Sequence, residues 1–130
     1  MPIDRDDLFR FLSAVHPYDA LDAEVLTDLI PAFRPQTMAA DQDIYTRGAP
    51  RDGRYLINSG AVDGRAQNNV VISQLGQRNS FGERGLTRDG LAATSARTTQ
   101  DTLLLVLPKA DFLRLVETQP AVRKFFDRHR

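Results

Sequence analysis

The chain has 130 residues, of which 42% are hydrophobic and 26% are charged, and its formal net charge is zero. This length and composition predict one globular domain with a core of its own. A neutral chain has no basic field to attract nucleic acid, and the lack of cysteine excludes disulfides, thiol catalysis and thiolate metal sites.

Two helices are predicted between residues 4 and 31. Asp4 is placed to cap the first, which ends at His16, because the residue before a proline avoids the helical region. We expect His16 to pack against Tyr18. Asp22 is placed to cap the second helix. Apolar residues recur at helical spacing in both: Leu8, Phe11, Leu12 and Val15, then Val25, Leu26, Leu29 and Ile30.

Between residues 33 and 108 the pattern changes to short apolar segments separated by glycines. Many short strands with regular turn signals are typical of a β-sandwich or roll. Asn58-Ser59-Gly60 predicts a tight turn, since glycine can take a positive φ. The predicted strands cover residues 34–38, 43–46, 54–58, 61–65, 70–75, 93–97 and 102–107.

Helical periodicity returns over residues 109–128, where Pro120 suits the first turn of a last helix. The sequence therefore predicts a single mainly-β domain over residues 1–130, a jelly roll flanked by N- and C-terminal helices. The apolar residues of the C-terminal helices could belong either to the core or to a surface that contacts a partner. They are Leu115, Val116, Val122, Phe125 and Phe126.

Catalysis and metal binding are not indicated. Ser80, Thr94 and Ser95 have no histidine nearby to act as a base, and His16 and His129 are too far apart in sequence to suggest a metal site. No apolar run reaches the length of a membrane span. We therefore expect a cytoplasmic, non-enzymatic domain that binds neither DNA nor membrane, with no metal and no cofactor.

The most informative motif is Ser80-Phe81-Gly82-Glu83-Arg84-Gly85-Leu86, followed by Leu91-Ala92-Ala93-Thr94. A Gly-Glu pair that opens a short helical turn can direct free N–H groups at an anion. Its carboxylate can accept hydrogen bonds from sugar hydroxyls. This combination suits a nucleotide bound through phosphate and ribose.

The motif resembles the phosphate-binding cassette of cyclic-nucleotide-binding domains. Ile44-Tyr45-Thr46-Arg47-Gly48, Arg54 to Gly60, and Leu75-Gly76 also resemble that family, in the same order. The resemblance implies cyclic AMP, cyclic GMP or another small anion as the ligand. It implies a site formed by Phe81, Gly82, Glu83, Arg84, Gly85, Leu86, Arg88, Leu91, Ala92, Ala93 and Thr94.

The resemblance also implies individual roles. Glu83 would accept a hydrogen bond from the ribose 2′-hydroxyl, and Gly82 would permit close backbone approach. The N–H groups of Gly85, Leu86 and Ala92 would face the phosphate. Thr94 would line the pocket near the base.

One position departs from the family pattern. Leu91 stands where the family usually carries the arginine that pairs with the cyclic phosphate, and the segment is one residue shorter. Arg88 has the reach to substitute for it, whereas Arg84 is expected to point outward. We therefore expect weakened nucleotide binding.

The opening segment, with Leu8 to Leu12 and His16-Pro17-Tyr18, resembles the N-terminal domain of bacterial multidomain signalling proteins. In those proteins, cystathionine-β-synthase-type (CBS) domains and a nucleotidyltransferase-like domain follow. The resemblance implies a regulatory sensing domain that contacts effector domains of the same chain, with a homodimer through the terminal helices as a further possibility. The alternative is a structural or interaction module that has lost its ligand.

Overall fold

The computed structural model describes residues 4–46, 48, 53–66, 68–81 and 94–128, with the side chains of residues 126–128 excepted. All architecture below refers to these ranges. The predicted ligand-binding residues 82–93 lie outside them, so their roles stay predictions.

The N-terminal part forms helices α1 (Arg5–Ser13) and α2 (Ala23–Leu29), each followed by a 3-10 turn, Tyr18–Ala20 and Ile30–Ala32. Asp4 caps α1 as predicted: its carboxylate accepts a hydrogen bond of 3.0 Å from the N–H of Asp6. Asp22 occupies the N-cap position of α2, but its side chain makes no capping hydrogen bond. The prediction for Asp22 is therefore correct for the helix start and wrong for the side chain.

The middle of the chain forms eight strands in two four-stranded antiparallel sheets. Sheet A has the order β1-β8-β3-β6, and sheet B has the order β2-β7-β4-β5. This confirms the predicted fold class, a mainly-β roll with flanking helices. The strands are β1 (Arg34–Met38), β2 (Asp43–Tyr45), β3 (Gly53–Ser59), β4 (Val62–Arg65), β5 (Val71–Leu75), β6 (Ser80–Phe81), β7 (Ser95–Thr98) and β8 (Thr102–Pro108).

Two C-terminal helices, α3 (Lys109–Thr118) and α4 (Pro120–Arg128), complete the domain. Pro108 is both the last residue of β8 and the N-cap of α3, so strand and helix join without a linker. The ring of His16 meets the edge of Phe125 in α4, with 4.8 Å between ring centroids, and its Nδ1 lies 2.8 Å from a carboxylate oxygen of Asp19. His16 thus has Phe125 as an aromatic partner, and its packing against Tyr18 stays a prediction.

Sheet A lies between the helices and sheet B. On one face of its central strands, Leu56 and Leu105 pack in a cluster with the helices. On the other face, Ile57 and Leu104 pack against residues of sheet B. Strands buried on both faces are expected to be continuously apolar, as β8 is. The helix-side cluster consists of Leu8, Leu12, Val15, Tyr18, Leu26, Ile30, Phe33, Leu56, Leu105, Leu107, Phe112, Leu115 and Val122.

Two buried threonines fix turns at one end of the roll. The hydroxyl of Thr98 donates to the carbonyl of Ala39 at 2.7 Å and accepts from the N–H of Gln42 at 2.9 Å. The hydroxyl of Thr102 donates to the carbonyl of Gln100 at 2.8 Å. Gly60 adopts a φ of +104°, and a Cβ there would lie 2.4 Å from the Thr102 hydroxyl. Glycine is therefore required at this turn both by backbone conformation and by space.

The C-terminal helices use most of their described apolar residues inside the domain. Leu115 and Val122 are buried, and Val116 and Phe125 pack partly buried against the same cluster. The side chain of Phe126 lies outside the described residues. Within the described ranges, no helix is both long enough and apolar enough to cross a membrane.

The packing of α3 on sheet A predicts unequal effects for two neighbouring residues. Phe112→Ala should lower the free energy of unfolding by about 3–5 kcal/mol, because Phe112 is fully buried and its loss leaves a cavity. Leu113→Ala is the matched control: Leu113 is 38% exposed on the same helix, and its removal should cost under about 0.5 kcal/mol. Urea unfolding of both variants measures this, and equal losses would contradict the assigned helix orientation.

Candidate functional site

The two ends of the predicted ligand-binding segment lie in different sheets. Phe81 ends β6, which pairs with β3 at the edge of sheet A. Thr94 is half-buried and directly precedes β7, which lies between β2 and β4 in sheet B. Residues 82–93 therefore connect one sheet to the other: Phe81 is itself paired in β6, and Thr94 adjoins Ser95, the first paired residue of β7.

An aromatic cluster holds the first attachment point. Phe81 is 8% exposed and stacks on Tyr55, its partner across the β3–β6 ladder, with ring centroids 5.2 Å apart and planes 11° from parallel. Tyr45 of β2 lies 5.7 Å from Tyr55 and 6.1 Å from Phe81, between ring centroids. Because Tyr45 belongs to sheet B, the cluster joins the two sheets at Phe81, the residue that precedes Gly82 in sequence.

Small side chains occupy the inner face of sheet B next to the second attachment point. Ala96 of β7 is buried in the cluster between the sheets, and its neighbour in register is Gly64 of β4. Gly64 is in turn paired with Ser73 of β5, and a Cβ at Gly64 would lie 2.3 Å from the Ser73 hydroxyl oxygen. The backbones and side chains of these three strands are thus in close contact on the inner face.

The outer face of sheet B carries a polar cleft of about 480 Å³. Successive strand residues point to opposite faces, so Ser95 and Arg97 face outward when Ala96 faces inward. The cleft is lined by Asp43, Thr46, Arg65, Asn69, Ser95 and Arg97. It was not foreseen from the sequence, because cross-strand register brings these residues together.

The two arginines of this cleft are engaged by neighbouring groups. Arg97 Nη1 lies 3.1 Å from Asp43 Oδ1. Arg65 Nη2 lies 3.5 Å from Asp63 Oδ2, and its Nη1 donates to Asn69 Oδ1 at 3.1 Å. Two aspartates thus balance two arginines. Among the described side chains, each arginine of the cleft therefore has an aspartate as its ion-pair partner.

The structure describes two of the predicted site residues, Phe81 and Thr94, at the two attachment points. It does not test the assignment of either residue to a ligand site. Sequence reasoning gave no role to Tyr45 or Tyr55 in this region. The signal that could have found them is the register of Tyr55 with Phe81, which required recognising the two-residue strand β6.

The described part of the chain holds no group of three or more His, Cys, Asp or Glu side chains close enough to hold a metal ion. The contact between His16 and Asp19 is a single pair on an exposed surface. The described residues of the strands that flank segment 82–93 in sequence therefore contribute packing contacts and hydrogen bonds.

Two antiparallel sheets bridged by an aromatic cluster, with flanking helices and a Gly-Glu motif in the connection, define a β-roll domain. The family model for the cyclic nucleotide-binding domain matches residues 35–119 of this sequence. The chain belongs to the cyclic nucleotide-binding domain family.

Known proteins agree with this assignment. A cyclic nucleotide-gated potassium channel from Mesorhizobium japonicum is 27% identical over 118 residues, which cover 91% of this chain and 32% of the channel. The structure of cAMP-bound PfPKA-R superposes with a TM-score of 0.88 at 18% identity, over 96% of this chain and 43% of the other.

The regulatory subunit of a cAMP-independent protein kinase A from Trypanosoma brucei superposes with a TM-score of 0.86 at 16% identity, over 96% of this chain and 45% of the other. At these identities the structural similarities establish the fold alone. The chain spans about a third of the length of the curated relatives that it matches.

The aromatic cluster generates a second prediction. Phe81→Ala should lower the free energy of unfolding by about 3 kcal/mol, since it removes a buried ring and two aromatic contacts. Phe81→Leu keeps most of the apolar volume and should cost less than about 1.5 kcal/mol. Denaturant unfolding, with near-ultraviolet circular dichroism to follow the tyrosines, measures both variants. Equal stability of Phe81→Ala and the unmodified chain would contradict the role of Phe81 as an anchor.

Proposed function

We propose that this chain is the ligand-sensing regulatory domain of a bacterial signal-transduction protein, with cyclic-nucleotide binding weakened by the replacement of one arginine. The observation that carries the proposal is the Gly82-Glu83 motif in the segment that connects β6 to β7, with Leu91 at the position where the family carries the phosphate countercharge. The domain itself is not an enzyme.

The binding groups follow from the motif. Glu83 accepts a hydrogen bond from the ribose 2′-hydroxyl, and backbone N–H groups of Gly85, Leu86 and Ala92 donate to the phosphate. The aromatic cluster of Tyr45, Tyr55 and Phe81 supports this proposal, because it packs around Phe81, the residue that precedes the segment in sequence. When the residue before the segment is already held in place, the segment loses less conformational entropy on binding a ligand.

The charge balance favours weak binding. Leu91 removes a bidentate guanidinium–phosphate contact, which is worth roughly 2–4 kcal/mol when built from charge-assisted hydrogen bonds. Arg65 and Arg97 are held by Asp63 and Asp43 on the outer face of sheet B, and so do not supply the missing charge. Arg88 is then the cation best placed in sequence to compensate in part.

The C-terminal helices carry the response to ligand. Helix α3 begins at the end of β8 and packs on sheet A through Phe112 and Leu115. Effector domains of a longer chain then contact these helices, and CBS-type and nucleotidyltransferase-like domains are the effectors that the sequence resemblance favours.

We place this protein in the cytoplasm. The chain is neutral and has no cysteine, so its folding needs no oxidising compartment for disulfide formation.

A second candidate function is an interaction module that has lost its ligand. Leu91 favours it directly, because a buried phosphate monoanion beside leucine loses its countercharge. The chain is also structurally similar to the regulatory subunit of a protein kinase A that is described as cAMP-independent. The same fold therefore occurs in a regulatory subunit whose kinase is described as independent of cAMP. The two candidates differ in a measurable way, which is restoration of binding by an added arginine.

Calorimetry with cyclic AMP and cyclic GMP tests the proposal. The unmodified chain should bind cyclic AMP with a dissociation constant of roughly 100 μM or more, because one bidentate contact is missing. Leu91→Arg should tighten binding by roughly 30- to 1000-fold, the equivalent of that contact. Adding Glu83→Gln to Leu91→Arg should weaken it again, since the ribose loses a charged acceptor.

Leu113→Arg is the matched control, because it adds the same charge on the exposed face of α3 and should leave binding unchanged. Tight binding by the unmodified chain would overturn the weakened-site proposal and identify Arg88 or Arg84 as the countercharge. Absent binding in both the unmodified chain and Leu91→Arg would favour the interaction module.

A further inference from the structure

The polar cleft on the outer face of sheet B has the chemistry of a second binding site. Its volume is about 480 Å³, and the described residues that line it are all polar or charged. A nucleobase or a lipid chain needs aromatic or apolar surface to leave water, and these lining residues offer none. The cleft therefore suits a small hydrophilic ligand.

The β4–β5 hairpin contributes Arg65 and Asn69 to the cleft. Arg65 pairs with Val71, whereas the residue before it pairs with Ser73, so Ile72 is an extra residue on β5 and is 56% exposed. Such a bulge bends its strand and redirects nearby side chains. In the turn between the two strands, Asn69 accepts the Arg65 hydrogen bond through Oδ1, so its amide nitrogen faces away from the arginine.

The two ion pairs of this face differ in their access to water. The side chains of Arg65 and Asp63 are 23% and 12% exposed, whereas those of Arg97 and Asp43 are 35% and 54% exposed. The first pair is thus largely enclosed by the sheet. The second pair is open to solvent, and a ligand in the cleft can reach it.

The exposed pair has hydrogen-bonding groups that the domain does not use. Arg97 contacts Asp43 through one pair of atoms, Nη1 and Oδ1, which lie 3.1 Å apart. Within the described part of the chain, the other guanidinium N–H groups of Arg97 and the Oδ2 atom of Asp43 have no hydrogen-bond partner. A guanidinium can hold a carboxylate through two parallel hydrogen bonds, and a carboxylate can accept at both oxygens. The cleft thus presents free donors and a free acceptor side by side.

The adjacency of these opposite charges selects the class of ligand. A simple anion that approaches Arg97 also meets the carboxylate of Asp43, and a simple cation that approaches Asp43 also meets Arg97. Each gains one attraction and one repulsion of similar size. A molecule with neighbouring ammonium and carboxylate groups can pair with both residues at once. An α-amino acid carries these two groups on a single carbon.

We propose that the outer cleft of sheet B binds a free α-amino acid, whose carboxylate accepts hydrogen bonds from Arg97 and whose ammonium group donates to Asp43. The hydroxyl of Thr46 and the amide nitrogen of Asn69 are the lining groups available to a polar side chain of the ligand. Both charge contacts are exposed to water, so the dissociation constant is on the order of 1 mM. This site does not depend on cyclic-nucleotide binding.

Titration with L-glutamine, followed through the backbone amide signals in two-dimensional NMR spectra, tests the proposal. The unmodified chain should show saturable shifts in β2 and β7. Arg97→Gln should weaken binding at least tenfold, because the charged donors are lost. Arg10→Gln is the matched control: it also removes an exposed arginine paired with an aspartate, but in α1, and it should leave binding unchanged.

Single-charge probes test the selection for a zwitterion. Acetate and methylammonium should each bind at least tenfold more weakly than L-glutamine, because each meets one like charge. Asp43→Asn should weaken the binding of L-glutamine but strengthen that of acetate, since the repelling carboxylate is gone. A purely structural role of Asp43 would weaken both. Circular dichroism confirms that each variant is folded.

Four results would overturn the proposal. The first is the absence of saturable shifts with L-glutamine at tens of millimolar. Undiminished binding by Arg97→Gln would place the amino acid elsewhere on the domain. Acetate that binds as tightly as L-glutamine would make the cleft a plain anion site, and methylammonium that does so would make it a cation site.

Discussion

The burial of β8 on both faces is the constraint on which the rest of the domain depends. Leu105 and Leu107 point toward the helices, and Leu104 points toward sheet B, so one strand belongs to both parts of the core. The same strand pairs with β1 on one side and β3 on the other. A charge or a proline in the middle of β8 would therefore disturb the helices, both sheets and the spacing between them at once.

The architecture was largely predictable because its signals are local. Residues 34–38 were predicted as a strand with the observed bounds, and Gly60 was predicted at a turn that only glycine satisfies. Features that depend on non-local contacts were missed. The two-residue strand β6 is defined by pairing with β3 and not by periodicity. The bulge at Ile72 depends on the register of β5 with β4. The alternation of apolar and polar residues in the sequence therefore could not predict that the Ile72 side chain faces solvent.

The residues of the candidate site could be predicted from a sequence motif, but the side chains that surround the site could not. The motif from Phe81 to Leu86 with Leu91 to Thr94 resembles the family's phosphate-binding segment, and that resemblance predicts both the binding role and the charge that Leu91 lacks. The surroundings required the structure, because Tyr45, Tyr55 and Phe81 come from three strands in two sheets. The same holds for the pairing of Arg97 with Asp43, which removes a nearby cation from consideration as a phosphate ligand.

The direct junction at Pro108 gives the domain a mechanical property. Since the last residue of β8 is also the cap of α3, no flexible residue separates sheet A from that helix. A ten-residue helix is about 15 Å long, so a tilt of about 10° at its base would move its far end by about 2.6 Å. A small change in the direction of β8 would therefore be carried directly into α3 and become a larger displacement where α4 begins.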